Sequence, residues 1–226
     1  MREIVLDTET TGLDPFEGHR IVEIGGVELI NHMPTGRTYH QYINPERDMP
    51  EEAFAVHGLG LDFLGDKPTF KEIGRAFLDF VGEATLVIHN ASFDMKFLNA
   101  ELKWMDVRTL PMGQALDTLE LARKKFPGAQ NSLDALCRRF AIDNSAREKH
   151  GALLDSELLA EVYLELIGGR QPDFSLSVVS GGASGTGGDY TPPPRPRALK
   201  PRLTEAERDA HAVFTGGLKG NTLWPS

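Results

Sequence analysis

Carboxylates and histidines are the side chains of this chain whose spacing could do chemistry. Asp7 and Glu9 stand two apart at the end of an apolar run, so on a strand both would leave the same face. Two carboxylates so placed could hold a hard divalent ion through oxygen ligands. With 33 acidic residues in the chain, an acid-x-acid pair also arises by chance. Glu205 and Glu207 form one that reads as solvated surface. What separates Asp7 and Glu9 is their place at the end of an apolar, central strand, where charge needs a partner. Asp94 falls in the first turn of a helix, and by itself it reads as a dipole or capping carboxylate. His150 and Asp155 are five apart, a spacing shared by His57 with Asp62 and by His89 with Asp94. Context distinguishes them. Asp155 belongs to a strongly amphipathic helix, Asp62 to a Gly-rich loop, and His89 closes a strand as a structural hydrogen-bonder. Five helical residues turn by about 140° net, so His150 must precede the helix, on a loop that can swing toward a ligand held by Asp155. That is the posture of a general base.

The elements that carry these residues read as strands first, then alternating helices. Residues 3–8, 20–29 and 38–43 are β-branched or aromatic-rich, with Pro/Gly turn chemistry at 31–36, which predicts an antiparallel meander. Phe70, Ile73, Phe77 and Phe80 mark a helix, and residues 84–89 a strand. Ser92 can cap a following helix whose Phe93, Phe97, Leu98 and Leu102 face the core. A short strand at 115–118 precedes helices at 119–126 and 132–140. A last helix over 152–167 carries the stripe Leu154, Leu158, Val162 and Leu166 and ends at Gly168. The order βββ-α-β-α-β-α-α is an α+β or α/β sandwich on a mixed sheet.

Composition excludes some classes. No stretch approaches the roughly 20 apolar residues of a membrane span, and the N-terminus lacks a secretory core, so no membrane contact is expected. The single cysteine, Cys137, gives neither a disulfide nor a zinc cluster, and it sits in the apolar stripe of Leu133, Leu136 and Phe140. A reducing, cytoplasmic setting is expected. The net charge is −9, and residues 1–170 hold 18 basic and 28 acidic groups. So acidic a domain argues at first sight against nucleic acid, whose phosphates it would bind poorly without divalent cations or tethering to a bound partner.

Taken together and in order, Asp7 to Leu13 (DTETTGL), His89 to Asp94 (HNASFD) and His150 to Asp155 (HGALLD) resemble the three motifs of the DEDD exonuclease superfamily, histidine branch. Residues 1–170 as a whole look like the proofreading exonuclease subunits of bacterial replicative DNA polymerases, a likeness that extends to Phe126-Pro127-Gly128 and Asn131 to Cys137. The resemblance implies an α/β, ribonuclease H-like fold with a mixed central sheet flanked by helices. It implies two divalent ions, Mg2+ or Mn2+, on Asp7, Glu9, Asp94 and Asp155, with His150 as general base. It implies contacts from Glu52 and His57 to the terminal nucleotide, and a pocket for the DNA 3′ terminus lined by Thr11, Gly12 and Leu13. From the residues alone, His57 is a loop histidine. A histidine-branch exoribonuclease acting on RNA ends, and a binding protein with a vestigial metal site, are the competing readings. The filled catalytic positions oppose the second, and the long tail opposes the first.

After Arg170 the composition turns Ser/Gly-rich and then Pro/Arg-rich, a linker over 171–201. Within it, residues 171–176 resemble the Gln-initiated peptide with which replication proteins bind the sliding clamp, or are simply linker. Residues 202–226 open with a capping-box pattern at Thr204 and Glu207. Ala206, Ala210, Val213 and Phe214 give one apolar face, and Leu223 and Trp224 add to it. Such a segment docks in a partner's groove or folds back onto its own domain. The resemblance names the partner as the polymerase catalytic subunit.

Overall fold

In the computed structural model, residues 1–145, 149–169 and 204–217 are described. The expected clamp peptide and linker therefore lie outside the described residues. Strand β1 (Arg2–Thr10) alternates Ile4 and Leu6 toward one apolar cluster with Val5 toward another, so helices must cover both faces of the sheet. β2 (Ile21–Ile30) and β3 (Met33–Tyr42) follow as the expected antiparallel meander. The turn is shorter than its composition predicts. Asn31 and His32 alone form it, both at positive φ (50° and 66°), the twist-matched geometry of a two-residue hairpin. Pro34 and Gly36 are absorbed into β3, which an edge strand tolerates because one side makes no ladder bonds.

Helices α1 (Glu51–His57) and α2 (Leu61–Leu64) follow; no periodicity announced them, and Asp62 lies on α2 rather than in a loop. α3 (Phe70–Val81) starts from a complete Thr69–Glu72 capping box. β4 (Thr85–Ile88) then lies parallel to β1, α4 (Ala91–Trp104) crosses over, and β5 (Ala115–Asp117) pairs parallel with β4. The resulting sheet, β3-β2-β1-β4-β5, is mixed, with β1 at its centre. α3 and α4 bury Phe77, Phe97 and Leu98 on one face. α5 (Thr118–Lys125), α6 (Leu133–Phe140) and α7 (Ala152–Leu166) bury Leu136, Leu159 and Val162 on the other. Cys137 is buried there as expected.

Two local expectations are corrected. Ser92 does not cap α4: the N-cap is Asn90, at φ 67°, and the Ser92 hydroxyl donates to the Asn90 side chain. The free N–H groups of Asn90 and Ala91 donate instead to Asp117, whose carboxylate also accepts from Leu119 and Glu120 and so serves the starts of both α4 and α5. α7 is buried on more sides than a stripe allows, with Asp155, Ser156 and Tyr163 inside. Each of the last two has a partner: the Ser156 hydroxyl reaches the Gly25 and Ala152 carbonyls, and the Tyr163 hydroxyl donates to Glu3 at 2.7 Å.

The chain divides into two units, Met1–Ser175 and Leu176–Ser226. In the second, α8 (Glu205–Gly216) begins with both bonds of the expected capping box, and none of its residues is buried. Among the described residues, no helix is long and apolar enough to cross a membrane.

Candidate active site

β1 ends where its pairing with β2 breaks register between Glu9 and Thr10, an irregularity that re-aims side chains. Asp7 and Glu9 share the α7 side of the sheet with Val5, while Thr8, with the parity of Leu6, faces α4. There the Asp94 carboxylate accepts from the Thr8 N–H at 3.1 Å and from the Thr8 hydroxyl at 2.7 Å. Asp94 therefore ties the start of α4 to β1, a tie its position in the first helical turn did not announce.

Asp155 comes from the first turn of α7 and is buried. His150 precedes the helix, as the angular argument requires, and its Nδ1 lies 3.4 Å from Asp155 Oδ2. The backbone of β2 sets how closely α7 approaches. Gly25, paired with Asp7, faces the backbone of Ala152 and Leu153 so closely that a Cβ there would fall under 3.0 Å from it.

Asp7, Glu9, Asp94, His150 and Asp155 line one cavity of about 770 Å³. Glu9, His150 and Asp155 each present a ligand atom within 4.8 Å of the others. Burial pushes the Glu9 carboxyl up to about 8; His150 opposes that shift, while Asp155, Glu23 and Asp94 add to it. Burial likewise pushes Asp94 up to about 7 against its Thr8 hydrogen bonds. Carboxylates gathered in this way repel one another and lack solvent, so the arrangement is unfavourable unless cations join it. The donor set, carboxylate oxygens with one imidazole, fits a hard divalent ion.

A second cavity of about 580 Å³ adjoins the first, and Thr8, Glu9 and Phe93 line both. Thr11, Gly12, Leu13, Glu52 and His57 all line it. Thr11 is fixed by backbone pairing with Arg20, whose N–H also donates to the Thr11 hydroxyl at 3.0 Å. Any side chain at Gly12 would collide with the His19 ring. Leu13 is 82% exposed at the rim. His57 is buried, and burial holds its pKa below the ordinary imidazole value. Its Nδ1 accepts from the Leu59 N–H at 3.0 Å, so it is more than a loop histidine. His89 is the structural hydrogen-bonder expected, 3.0 Å from the Thr118 hydroxyl.

Among the wall residues that sequence reasoning missed, three bear most directly on the chemistry. Thr8 could have been found from strand parity alone. Phe93 reads as core and does pack against it, yet it also borders both cavities. Arg123 supplies a cation in the carboxylate-lined cavity, hidden in the basic end of α5.

Residues 4–163 match a family model described as Exonuclease. The chain is 58% identical over 179 residues to the DNA polymerase III subunit epsilon of Rickettsia prowazekii, covering 78% of each. It is 51% identical over 176 residues to that of Escherichia coli, covering 75% of this chain and 72% of the relative. Among solved structures it resembles exonuclease X in complex with 5′ overhanging duplex DNA (25% identity, TM-score 0.57, covering 73% of this chain and 90% of that one). It also resembles the nuclease domain of 3′hExo, a DEDDh family member bound to rAMP (21% identity, TM-score 0.64, covering 74% and 91%).

Proposed function

Because the chain belongs to the exonuclease family and, within it, to the DNA polymerase III epsilon subunits, we propose that its two adjoining cavities excise nucleotides one at a time from DNA 3′ ends. The protein is a proofreading 3′→5′ exonuclease, and it depends on divalent metal ions.

In this reading Asp7, Glu9, Asp94 and Asp155 hold two ions, magnesium or manganese, which when bound supply a water of lowered pKa and relieve the charge on the phosphodiester. Thr11, Gly12 and Leu13 cradle the terminal nucleotide, with Glu52 and His57 on the facing helix α1. Neutral His150 has a ring nitrogen lone pair to accept the proton of the attacking water, and Asp155 steadies the imidazolium so formed. The water oxygen bonds to phosphorus as the bond to the 3′-oxygen of the preceding nucleotide breaks; that oxygen takes up a proton as the new 3′-hydroxyl end, and a nucleoside 5′-monophosphate is released. The observation that carries this reading is the adjacency of a carboxylate-lined cavity to a nucleotide-sized one, with Glu9 and Phe93 in the shared wall.

The partner assignments rest on the tail. On α8, Val213 is 79% exposed and Phe214 65% exposed, an apolar face suited to a groove on the polymerase catalytic subunit. Residues 202–226 are assigned to that contact and residues 171–176 to the sliding clamp.

The test uses 5′-labelled DNA and RNA single strands of one sequence. DNA should shorten by single nucleotides, cease to do so in chelator, and react about 10²–10⁴-fold more slowly with His150→Ala. Chelator-resistant cleavage, faster cleavage of RNA, or unchanged turnover in that variant would each overturn the reading.

A further inference from the structure

The general base sits on a loop, yet its chemistry requires a fixed position. Three contacts tie that loop to α1 and to the glycine that caps it, and each involves a residue so far without a role. The His150 backbone N–H donates to the Val56 carbonyl at 3.3 Å. The Lys149 ammonium lies over the Phe54 ring, 5.1 Å from its centroid, within the range of a cation–π attraction. The Lys149 stem also crosses Gly58. A Cβ there would come within 2.6 Å of Lys149 Cδ, and Gly58 holds φ +73° besides. Gly58 thus closes α1 in the left-handed conformation that suits glycine and leaves room for the lysine.

α1 is also the helix that carries Glu52 and His57 into the wall of the nucleotide cavity. We propose that Phe54 and Lys149 form a clasp that positions His150, so that the seat of the terminal nucleotide and the general base move as one unit. Phe54 is 44% exposed and belongs to neither apolar cluster of the sheet. The clasp acts through His150 and touches no reacting atom, which makes both members positioning residues. The inference rests on the role proposed above for His150.

Its test is a double-mutant cycle on the full-length protein with a DNA single strand and saturating magnesium. A misplacement of about 1 Å in a reacting group costs on the order of 10²-fold. Phe54→Ala should therefore lower kcat by about 10–100-fold with KM nearly unchanged. Phe54→Tyr, which keeps the ring, should restore most of the loss, and Lys149→Ala should reproduce it. In the His150→Ala background, Phe54→Ala should lower kcat by no more than about 2-fold, because groups that act as a unit are not additive. Equal losses in both backgrounds would show that Phe54 acts on substrate binding or on the fold, and would overturn the clasp. Full activity of Phe54→Ala would do the same. If His150→Ala alone kept wild-type turnover, the general-base reading would fall instead, so the two failures are distinguishable.

Discussion

Gly25→Ala is a one-methyl change that should damage catalysis far more than stability. Gly25 sits in β2 opposite Asp7 and faces the first turn of α7. Its backbone does not occupy the left-handed region, so by chain entropy alone alanine would stabilise the fold by about 0.4–1 kcal/mol. Sterics reverse that sign. The new Cβ would lie under 3.0 Å from backbone atoms of Ala152 and Leu153, and nothing flexible is available to yield. Restoring ordinary van der Waals contact from so short a separation requires α7 to retreat by about 1–2 Å. Overpacking of this kind costs about 1–3 kcal/mol, a fall in Tm of roughly 3–10 °C for a domain of this size. A domain with about 5–15 kcal/mol of stability remains folded at 25 °C after such a loss. The same retreat moves Asp155 within that turn and His150 just before it, and about 1 Å there costs on the order of 10²-fold in rate. Gly26→Ala is the matched control. Its Cβ would point to the opposite face and meet Phe80, Ile4 and Tyr39 at 3.4–3.6 Å, so activity and Tm should barely change. Melting curves and single-turnover cleavage of a labelled strand measure both quantities. If the two alanine variants behave alike, α7 is not seated by Gly25 and the reasoning fails.

Two further outcomes follow from the charges and the tail. Glu9 is raised from 4.5 to about 8 and Asp94 from 3.8 to about 7, so without ions each contributes stability that is fully present below its unfolded value and lost as pH rises through the folded one. In chelator, Tm should fall from pH 6.5 to pH 8.5, above the range in which the depressed His57 and His89 act in the opposite direction. Magnesium should offset that fall increasingly toward high pH, because the ligands must be deprotonated to bind it. Parallel Tm curves with and without the ion would contradict the metal site. Removing residues 202–226 should abolish co-purification with the polymerase catalytic subunit and leave single-strand hydrolysis unchanged. Retained co-purification would place the contact elsewhere.

The sequence carried the sheet because its strands obey one simple rule. The alternation of Ile4 and Leu6 against Val5 suffices to place β1 between helices on both faces, and the turn chemistry after Ile30 suffices to pair β2 with β3. α1 escaped detection because its apolar residues obey no such rule. Phe54 and Val56 are exposed rather than aligned on a core, and their surroundings come from the loop at 149–150, about 90 residues away. The stripe assigned to α7 was too narrow for the same kind of reason. β1, β2, α5 and α6 surround that helix, and Ser156 and Tyr163 enter the interior only because the Gly25 carbonyl and Glu3 await them.

At the site, spacing located the acids but not what fixes them. The i, i+2 relation of Asp7 and Glu9 and the angular mismatch of His150 with Asp155 are local facts, and both were legible. The Thr8–Asp94 bonds span 86 residues, and the filling of α4's free N–H groups by Asp117 rather than by Ser92 or Asp94 depends on the neighbouring strand β5. These long-range ties bear on function because burial costs Glu9 and Asp94 more than their surroundings return. The fold gathers acids at the end of its central strand and leaves Glu9 and Asp94 holding their protons near neutrality. Cations resolve that conflict locally, but they bring little general affinity for a polyanion to a unit with ten more acidic than basic residues up to Arg170. In the proposed reading, residence on DNA then comes from outside the catalytic unit. The described segment assigned to that task is α8, whose apolar face is exposed and whose unit, unlike the first, carries no excess of negative charge.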